Sequence, residues 1–262
     1  MKAYIYTNET KESLKIEEEL KDILLKNGDE VKDIKSADLI FCIGGDGALL
    51  NLMQEKSFPT TPIVGVNTGH LGFFQNVQPD ELEDFLSEYK KGNVAVLPYN
   101  IARAEIKCKD GTIVHRALNE FAIKGPTNHS IHLNISINNS FIEKFSGDGI
   151  LVSTPAGSTA YNYSLGGSLV DPRINILQVT PIAPMNTTVY RSLTSSILIP
   201  ADDELVIEPT DENSETLSLL FDSLAITYTE IKKISLTLSH RRINLVWSNG
   251  QTFWNRVKEK FL

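Results

Sequence analysis

The sequence is poor in cysteine and in basic residues. Its 262 residues include two cysteines, and 25 Lys and Arg stand against 33 Asp and Glu, which gives a formal net charge of −8. Sequence-independent nucleic-acid binding needs a basic surface, so no nucleic-acid partner is expected. Cys42 and Cys108 lie far apart in the chain, and reduced thiols are favoured over a disulfide, although the sequence leaves both open.

Long apolar runs and the common zinc and nucleotide signatures are also missing. No apolar run approaches the length of a membrane span, and the first residues show no signal-peptide core, so we expect a cytoplasmic protein without membrane contact. No group of His and Cys has the spacing of a zinc site. The absence of a Gly-x-x-x-x-Gly-Lys-Ser/Thr pattern excludes the P-loop class of nucleotide-binding proteins.

The stretch from Ala37 to Leu50 carries the strongest local signal. Leu39 to Ile43 is an unbroken apolar run, which is typical of a strand buried on both faces of a parallel sheet. The run stops at Gly44-Gly45-Asp46-Gly47, and helix-forming residues follow. A strand, a glycine turn and a helix start are a common arrangement for phosphate binding, because glycines let an anion approach the backbone N–H groups.

A carboxylate within this turn gives a second indication. Beside a polyphosphate, Asp46 can hold a metal ion or take a proton from an attacking hydroxyl, so the turn predicts phosphoryl transfer. The alternative is that Gly44 to Gly47 only ends a strand, because Gly and Asp are ordinary turn residues. Taken alone, the turn does not decide between the two interpretations.

The pattern of elements changes near Val94. Before it, buried strands alternate with amphipathic helices, which predicts a Rossmann-like α/β domain over residues 1–95. After it, period-two strands separated by turn residues predict an all-β domain, a β-sandwich, over residues 96–250. Residues 251–262 have apolar side chains at helical spacing and predict a C-terminal helix that packs on the first domain. The predicted elements of the second domain include strands at 204–208, 218–222, 232–238 and 243–247, and one substantial helix at 158–165.

A polar loop follows a second buried strand in the first domain. Thr68-Gly69-His70-Leu71-Gly72-Phe73-Phe74 should emerge at the same sheet edge as Asp46, where open α/β sheets bind their ligands. Phe73 and Phe74 fit two interpretations equally well, stacking on an adenine or packing in the interior. For His70 a structural hydrogen bond is favoured over proton transfer.

Two further polar motifs lie in the second domain. The amide and carboxylate of Asn119-Glu120 can clasp the two hydroxyls of a ribose, because together they offer a donor and acceptors. A β-bulge or edge pair is the simpler explanation of this pair alone. After a Gly147-Asp148-Gly149 turn, the run from Thr154 to Gly167 reads Thr-Pro-Ala-Gly-Ser-Thr-Ala-Tyr-Asn-Tyr-Ser-Leu-Gly-Gly. Its hydroxyl and amide groups suit phosphate, ribose or adenine edges.

Together these motifs resemble those of bacterial NAD kinases, which belong to the Gly-Gly-Asp-Gly kinase superfamily. The Gly-Asp-Gly turn, the Thr-Gly-His-Leu-Gly-Phe loop, the Asn-Glu pair and the Thr-Pro-Ala-Gly-Ser-Thr-Ala-Tyr run occur in the family's order and spacing. Val189-Tyr190-Arg191-Ser192 is similar to a family segment. The resemblance spans both domains. It implies ATP-dependent phosphorylation of NAD at the 2′-hydroxyl of its adenosine ribose, a divalent ion (Mg²⁺ expected) that arrives with ATP, and a homotetramer joined through the β domain.

The resemblance also implies roles for individual residues. Asp46 would be the proton acceptor and, with Gly47, would contact the dinucleotide, while Gly44, Gly45 and Gly47 would hold phosphate. Phe73 would line the pocket. The remaining NAD-binding residues that the resemblance implies are Asn119, Glu120, Ser146, Asp148, Thr159, Ala160, Tyr161, Asn162, Ser164 and Ala183.

Two positions depart from the family pattern, and two other functions stay open. Ser146 stands where relatives often carry a basic residue, and Ser223 follows Asp222 where some relatives have a larger polar side chain. A lipid or small-alcohol kinase of the same superfamily would need an apolar groove, which the polar run Ser158 to Ser164 disfavours. A non-catalytic dinucleotide-binding protein is the second alternative, and an intact Asp46 speaks only weakly against it. The sequence also leaves open whether polyphosphate replaces ATP and whether NADH is accepted.

Overall fold

The chain divides into two compact units. The structure, a computed structural model, describes residues 1–69, 72–126, 129–210, 215–248 and 250–262. One unit consists of Met1–Tyr99 and Arg242–Leu262, and the other of Asn100–Arg241. The domain bounds predicted from the sequence, 1–95, 96–250 and 251–262, stay a prediction.

Helices and strands alternate along the first part of the chain, and strands predominate after it. The helices are α1 Lys11–Lys26, α2 Asp46–Glu55, α3 Leu82–Lys90, α4 Tyr161–Ser164 and α5 Phe253–Phe261. The strands are β1 Lys2–Thr7, β2 Glu30–Val31, β3 Leu39–Gly44, β4 Ile63–Asn67, β5 Gln75–Val77, β6 Ala95–Cys108, β7 Gly111–Ala117, β8 Glu120–Lys124, β9 Ile131–Ile137, β10 Ser140–Gly147, β11 Gly149–Ser153, β12 Ile176–Ile182, β13 Ile197–Pro200, β14 Leu205–Pro209, β15 Leu217–Phe221, β16 Leu224–Tyr228 and β17 Ile231–Trp247.

The first unit is built on a parallel sheet in the order β2-β1-β3-β4. Strand β5 and the end of β17 pair with β4, the latter through Leu245 and Ile63. Every residue of β3 is buried: Leu39, Phe41 and Ile43 share a core with apolar side chains of α1 and α3, and α2 contacts the strand as well. This burial on both faces explains why Leu39 to Ile43 has no polar alternation.

The second unit contains two antiparallel groups of strands around one core. One group runs β10-β9-β14-β17, and the other runs β13-β12-β11-β8-β15-β16. Phe121, Phe145 and Phe221 are fully buried in a cluster to which strands of both groups contribute. The predicted fold class, an α/β domain followed by a β-sandwich with a C-terminal helix, is confirmed.

Two predicted elements of the second unit differ from the structure. The predicted helix at 158–165 is a 3₁₀ turn at Ala156–Thr159 and the single turn of α4, interrupted at Ala160 (φ −97°, ψ −130°). Hydroxyl groups there bond to nearby carbonyl oxygens, for example Thr159 to Ala156, and such bonds compete with a regular helix. The strands predicted at 232–238 and 243–247 form the single strand β17, because the polar residues between them continue it at the surface.

The sequence pattern also misses strands β12, β13 and β16. In β12 the fully buried residues include the polar Gln178 and Thr180, and Pro181 lies within the strand. Buried polar residues reverse the expected alternation, and a proline argues against a central strand.

Both cysteines are free thiols, and burial raises the pKa of Cys42. Within the described ranges, no helix has the length and apolar character needed to cross a membrane.

Candidate functional site

The glycine turn of the first unit lies between β3 and α2. Gly44 has φ +150°, and a Cβ there would lie 2.5 Å from the Cβ of Ala48, so the turn needs glycine at this position. A Cβ at Gly45 or Gly47 would meet nothing within 4 Å. Protein packing therefore explains the first glycine, whereas the other two border open space in which a phosphate group could approach the start of α2.

The carboxylate of Asp46 is held by a neighbouring backbone segment. The backbone N–H groups of Phe73 and Phe74 donate to Asp46 Oδ2 and Oδ1, each at 3.0 Å. A Cβ at Gly72 would collide with Asp46 Oδ1 and with Gln75 Oε1, so these side-chain oxygens are close neighbours. Asp46 itself is half-buried, so the segment fixes the carboxylate without closing it off from solvent.

Phe73 and Phe74 are interior residues in this structure. Phe73 is 8% exposed, and its ring centroid lies 5.5 Å from that of Phe261 in α5. Phe74 is 4% exposed and meets the edge of Tyr99 at 6.3 Å. These contacts favour packing over stacking on an adenine, and the assignment of Phe73 as a pocket residue stays a prediction. His70 and Leu71 of the predicted loop lie outside the described residues.

The Asn119-Glu120 pair lies where β8 begins, and an aspartate fixes its backbone. Both carboxylate oxygens of Asp222 accept backbone N–H bonds, from Leu118 at 2.9 Å and from Asn119 at 2.8 Å. On the other side, Thr154 donates its N–H to the carbonyl of Asn119 at 2.9 Å. The side-chain Oδ1 of Asn119 is buried and finds no hydrogen-bond partner in the described part of the chain, so it is available to a ligand.

Glu120 is a half-buried acid beside another acid, and its Oε2 atom is buried. Burial, reinforced by the negative charge of Asp222, raises the pKa of Glu120 to about 8. Its Oε2 has no hydrogen-bond partner among the described residues. A carboxyl group in this setting carries a proton near neutral pH and can donate a hydrogen bond.

The hydroxyl-rich run after β11 uses most of its polar groups internally. The amide of Asn162 donates to the carbonyls of Ser158 and Ser168 and accepts from Thr180, and the side chain is fully buried. Gly157 is required because a Cβ there would collide with the carbonyl oxygen of Asn119. The run therefore packs against the Asn119-Glu120 pair. Thr159, Ala160 and Tyr161 are half-buried, and Tyr163 and Ser164 are exposed.

Asp148 and Ala183 lie at the other end of the same strands. In the pairing of β8 with β11, Glu120 faces Ser153, whereas Gly149, next to Asp148, faces Lys124. The two ends are roughly 13 Å apart at the usual rise of a strand. Asp148 and Ala183 are exposed, and Ala183 has φ +45°.

A cleft of about 800 Å³ opens beside Asp148, and its lining also includes Lys124, His129, Met185 and Leu220. This volume is in the range of small-molecule sites. Ser146, which is also predicted to bind NAD, is buried, unlike Asp148 and Ala183. It is 1% exposed and donates its backbone N–H to Ser192 Oγ at 2.9 Å. The structure thus brings Asn119, Glu120 and the run 154–164 together, and places Asp148 with Ala183 at a second location of the same unit.

Sequence reasoning missed three side chains that support these sites: Asp222, Gln75 and Arg256. In the sequence, Asp222 is notable only as the residue before Ser223. Gln75 lies beside Asp46, and both polar atoms of its buried amide find no hydrogen-bond partner in the described ranges. Arg256 donates to the carbonyl of Gln75 from 181 positions along the chain. No local pattern in the sequence pairs residues so far apart.

The possible metal ligands among the described residues do not form a site that would enclose a metal ion. Among the residues that the structure describes, no three of His, Cys, Asp and Glu form a group that could hold a metal ion. Asp46 is the carboxylate of the glycine turn, and oxygen ligands of this kind suit a hard cation such as Mg²⁺. The residues present therefore fit an ion that is held mainly by a substrate and approaches one carboxylate.

Comparison with known proteins identifies both units. Residues 5–94 match the family model described as the ATP-NAD kinase N-terminal domain, and residues 118–248 match the ATP-NAD kinase C-terminal domain. The NAD kinase of Finegoldia magna is 36% identical over 264 residues, covering 98% of this chain and 97% of the relative. The NAD kinase of Streptococcus gordonii is 39% identical over 232 residues, covering 87% of this chain and 84% of the relative.

Two solved structures have the same fold. Yeast NADH kinase, complexed with NADH, gives a TM-score of 0.84 at 20% identity and covers 100% of this chain and 87% of its own. An NAD kinase from Archaeoglobus fulgidus, in complex with ATP, gives a TM-score of 0.77 at 22% identity. The match covers 98% of this chain and 99% of the Archaeoglobus chain. At these identities the likeness concerns the fold.

The fold and the glycine turn with its carboxylate define the class of protein, an ATP-dependent phosphotransferase. The chain belongs to the ATP-NAD kinase family. The predicted family and the predicted activity, ATP-dependent phosphorylation of NAD, are confirmed.

Proposed function

We propose that the chain transfers the γ-phosphoryl group of ATP to the 2′-hydroxyl of the adenosine ribose of NAD, with Asp46 as the proton acceptor. A bond forms between the ribose 2′-oxygen and the γ-phosphorus, and the bond from that phosphorus to ADP breaks. The hydroxyl proton passes to Asp46. The observation that supports this role is a carboxylate in an open glycine turn at the carboxyl end of a parallel strand, held by two backbone N–H groups.

The proposed phosphate contacts are those of the glycine turn. Gly45 and Gly47 border open space at the start of α2, a helix of ten residues whose first N–H groups lack helical acceptors. Gly44 shapes the turn through its positive φ. A divalent ion, Mg²⁺ by proposal, would arrive with ATP, held by its phosphates, and would neutralise charge on the transferring group.

The proposed NAD contacts in the second unit divide by exposure. Asn119 Oδ1 and the protonated Glu120 offer an acceptor and a donor for ribose hydroxyls, and neither has a competing protein partner in the described chain. The more accessible groups of the proposed set are Asp148, Thr159, Ala160, Tyr161, Ser164 and Ala183. Asn162 and Ser146 are buried, so for them we propose a positioning role within the NAD site.

A homotetramer joined through the second unit and a cytoplasmic location complete the proposal. Leu198 and Leu220 are 55% and 36% exposed on strands of one sheet, and such apolar exposure suits an interface. Native mass spectrometry should give four copies. Leu198→Lys with Leu220→Lys should reduce that number, whereas Leu25→Lys, at an exposed position of α1, should not. A monomeric wild type would contradict the tetramer.

The function is tested by mixing the protein with ATP, Mg²⁺ and NAD and measuring NADP. NADP formation that depends on ATP supports the proposal. NAD binding by calorimetry without NADP formation would instead favour a non-catalytic dinucleotide-binding protein. Phosphorylation of a diacylglycerol in place of NAD would favour the lipid-kinase alternative. Parallel assays with polyphosphate and with NADH would define the range of donors and acceptors.

A further inference from the structure

The position of the Asp46 carboxylate depends on one short segment, Phe73 to Asn76. Two backbone N–H groups of this segment donate to the two oxygens of Asp46. A movement of the segment would therefore move the carboxylate or release it. Because proton transfer needs the acceptor within hydrogen-bond reach of the reacting hydroxyl, what holds this segment also determines the efficiency of the reaction.

The part of the first unit after residue 242 contacts the segment at several points. Arg256 of α5 donates from Nη2 to the carbonyl of Gln75 at 3.1 Å. Asn76 donates its side-chain amide to the carbonyl of Val246 at 2.9 Å. The ring of Phe261 packs against that of Phe73. A third hydrogen bond runs from Ser248 Oγ to the carbonyl of Asn76 at 3.4 Å. Of the three, the one made by Arg256 lies closest in the chain to the N–H groups that bind Asp46.

Arg256 is an unusual choice for a structural contact. Its side chain is only 5% exposed, and its other contacts are Gln251 Oε1 at 3.2 Å and a loose ion pair with Glu259 at 3.7 Å. Burial lowers the pKa of Arg256, while the negative charges of Glu259 and Asp46 act in the opposite direction. A buried cation whose one ion pair in the described chain is this loose is costly, so its charge is expected to have a use beyond packing.

We infer that Arg256 is a positioning residue for phosphoryl transfer. It fixes the segment Phe73 to Asn76 and thereby the position of the Asp46 carboxylate. This inference rests on the proposed function of Asp46. Arg256 acts through the backbone of Gln75 and through its positive charge near Asp46, and it makes no contact with the reacting atoms in this scheme. The C-terminal helix is thus a part of the catalytic apparatus as well as of the fold.

The test compares Arg256→Gln with Lys258→Gln, which removes a positive charge from an exposed position of the same helix. For Arg256→Gln we expect kcat to fall about ten- to a hundredfold, with NAD affinity by calorimetry changed less than about threefold. Arg256→Lys, which keeps the charge and loses the forked geometry, should lie between Arg256→Gln and wild type. Lys258→Gln should behave as wild type. An unchanged kcat in Arg256→Gln, or an equal loss in Lys258→Gln, would overturn the inference.

A second measurement separates positioning from general destabilisation. In an Asp46→Asn background, Arg256→Gln should lower the residual rate by much less than in the wild type, because the carboxylate that it positions is gone. The same loss in both backgrounds would show that Arg256 acts independently of the Asp46 carboxylate and would overturn the inference. Should Arg256→Gln fail to fold, Arg256→Lys takes its place in the same cycle, with the same two outcomes.

A third measurement does not depend on the reaction. Hydrogen exchange of the Phe73 and Phe74 amides should be faster in Arg256→Gln than in wild type and in Lys258→Gln. If the wild type makes no NADP but exchange is faster in Arg256→Gln, the proposed function has failed and the structural link between Arg256 and the segment stands. Unchanged exchange would contradict the link itself.

Discussion

The two units each hold a critical acid, and they hold it in opposite ways. Asp46, in the first unit, is half-buried, and both of its oxygens accept backbone N–H bonds. Glu120, in the second unit, is half-buried beside Asp222, and its buried Oε2 has no hydrogen-bond partner among the described residues. One environment favours a group that accepts a proton, and the other favours a group that keeps one.

The difference follows from the local backbone. In the first unit the backbone N–H groups of Phe73 and Phe74 converge on the carboxylate of the glycine turn. In the second unit the converging N–H groups of Leu118 and Asn119 are already taken by Asp222, so Glu120 receives a negative neighbour instead of donors. The same residue class can therefore supply a base at one place and a hydrogen-bond donor at the other.

The most direct way to break the comparison is Asp46→Asn. We expect kcat to fall by about 10²–10⁴-fold with NAD binding retained, because the amide cannot accept the proton. The amide NH₂ would also face one of the N–H groups that now donate to Asp46, which should lower stability by about 1–3 kcal/mol. Assays well below the Tm of the variant keep the two effects apart. A near-normal kcat would leave Asp46 at most a binding residue.

The glycine turn can be tested by a matched pair, Gly44→Ala and Gly45→Ala. The first should cost about 1–3 kcal/mol of stability, because Ala is strained at φ +150° and its Cβ meets Ala48. The second should leave the Tm unchanged, because its Cβ meets no protein atom, and should raise the KM for ATP. Thermal melts and steady-state kinetics measure both. An equal loss of stability in the two variants would favour a plain strand-ending turn.

In the second unit the corresponding change is Asn119→Ala. We expect NAD affinity to fall by about 1–3 kcal/mol in calorimetry, with the KM for ATP nearly unchanged. The Tm should hardly move, because Asn119 Oδ1 has no partner to lose in the described structure. Unchanged NAD affinity together with a lower Tm would instead make the pair a structural feature of β8.

The last change is Glu120→Gln, and its effect depends on pH. Between the ordinary pKa of 4.5 and about 8, folded chains keep a proton on Glu120 that unfolded chains have lost. The free energy of unfolding of the wild type should therefore fall as the pH rises through this window. Glu120→Gln lacks this pH-dependent contribution to the free energy of unfolding. The Tm of the variant minus that of the wild type should therefore increase from pH 5 to pH 8.

Glu18→Gln, at an exposed position of α1, is the control for that series and should show no such gain. A constant Tm difference between Glu120→Gln and wild type at all pH values would mean that Glu120 is ionised throughout. The contrast between the two acids would then be wrong.

Features that depend on neighbouring residues were predictable from the sequence, and those that depend on distant ones were not. Asp46 could be found because the strand, the glycines and the helix start are consecutive. Asp222 and Arg256 could not, because their partners lie 104 and 181 positions away. Strand β12 was missed for a related reason, since Gln178 becomes a plausible buried residue only once Ser168 supplies bonds to its amide.

The discontinuity of the first unit has a consequence for synthesis. Residues 1–99 leave the ribosome before all of the second unit, and residues 242–262 follow only after it. Until then the glycine turn exists without the strand end at Leu245 and without Arg256. The sheet of the first unit is therefore completed, and Gln75 acquires its bond from Arg256, only after the whole of the second unit has been synthesised.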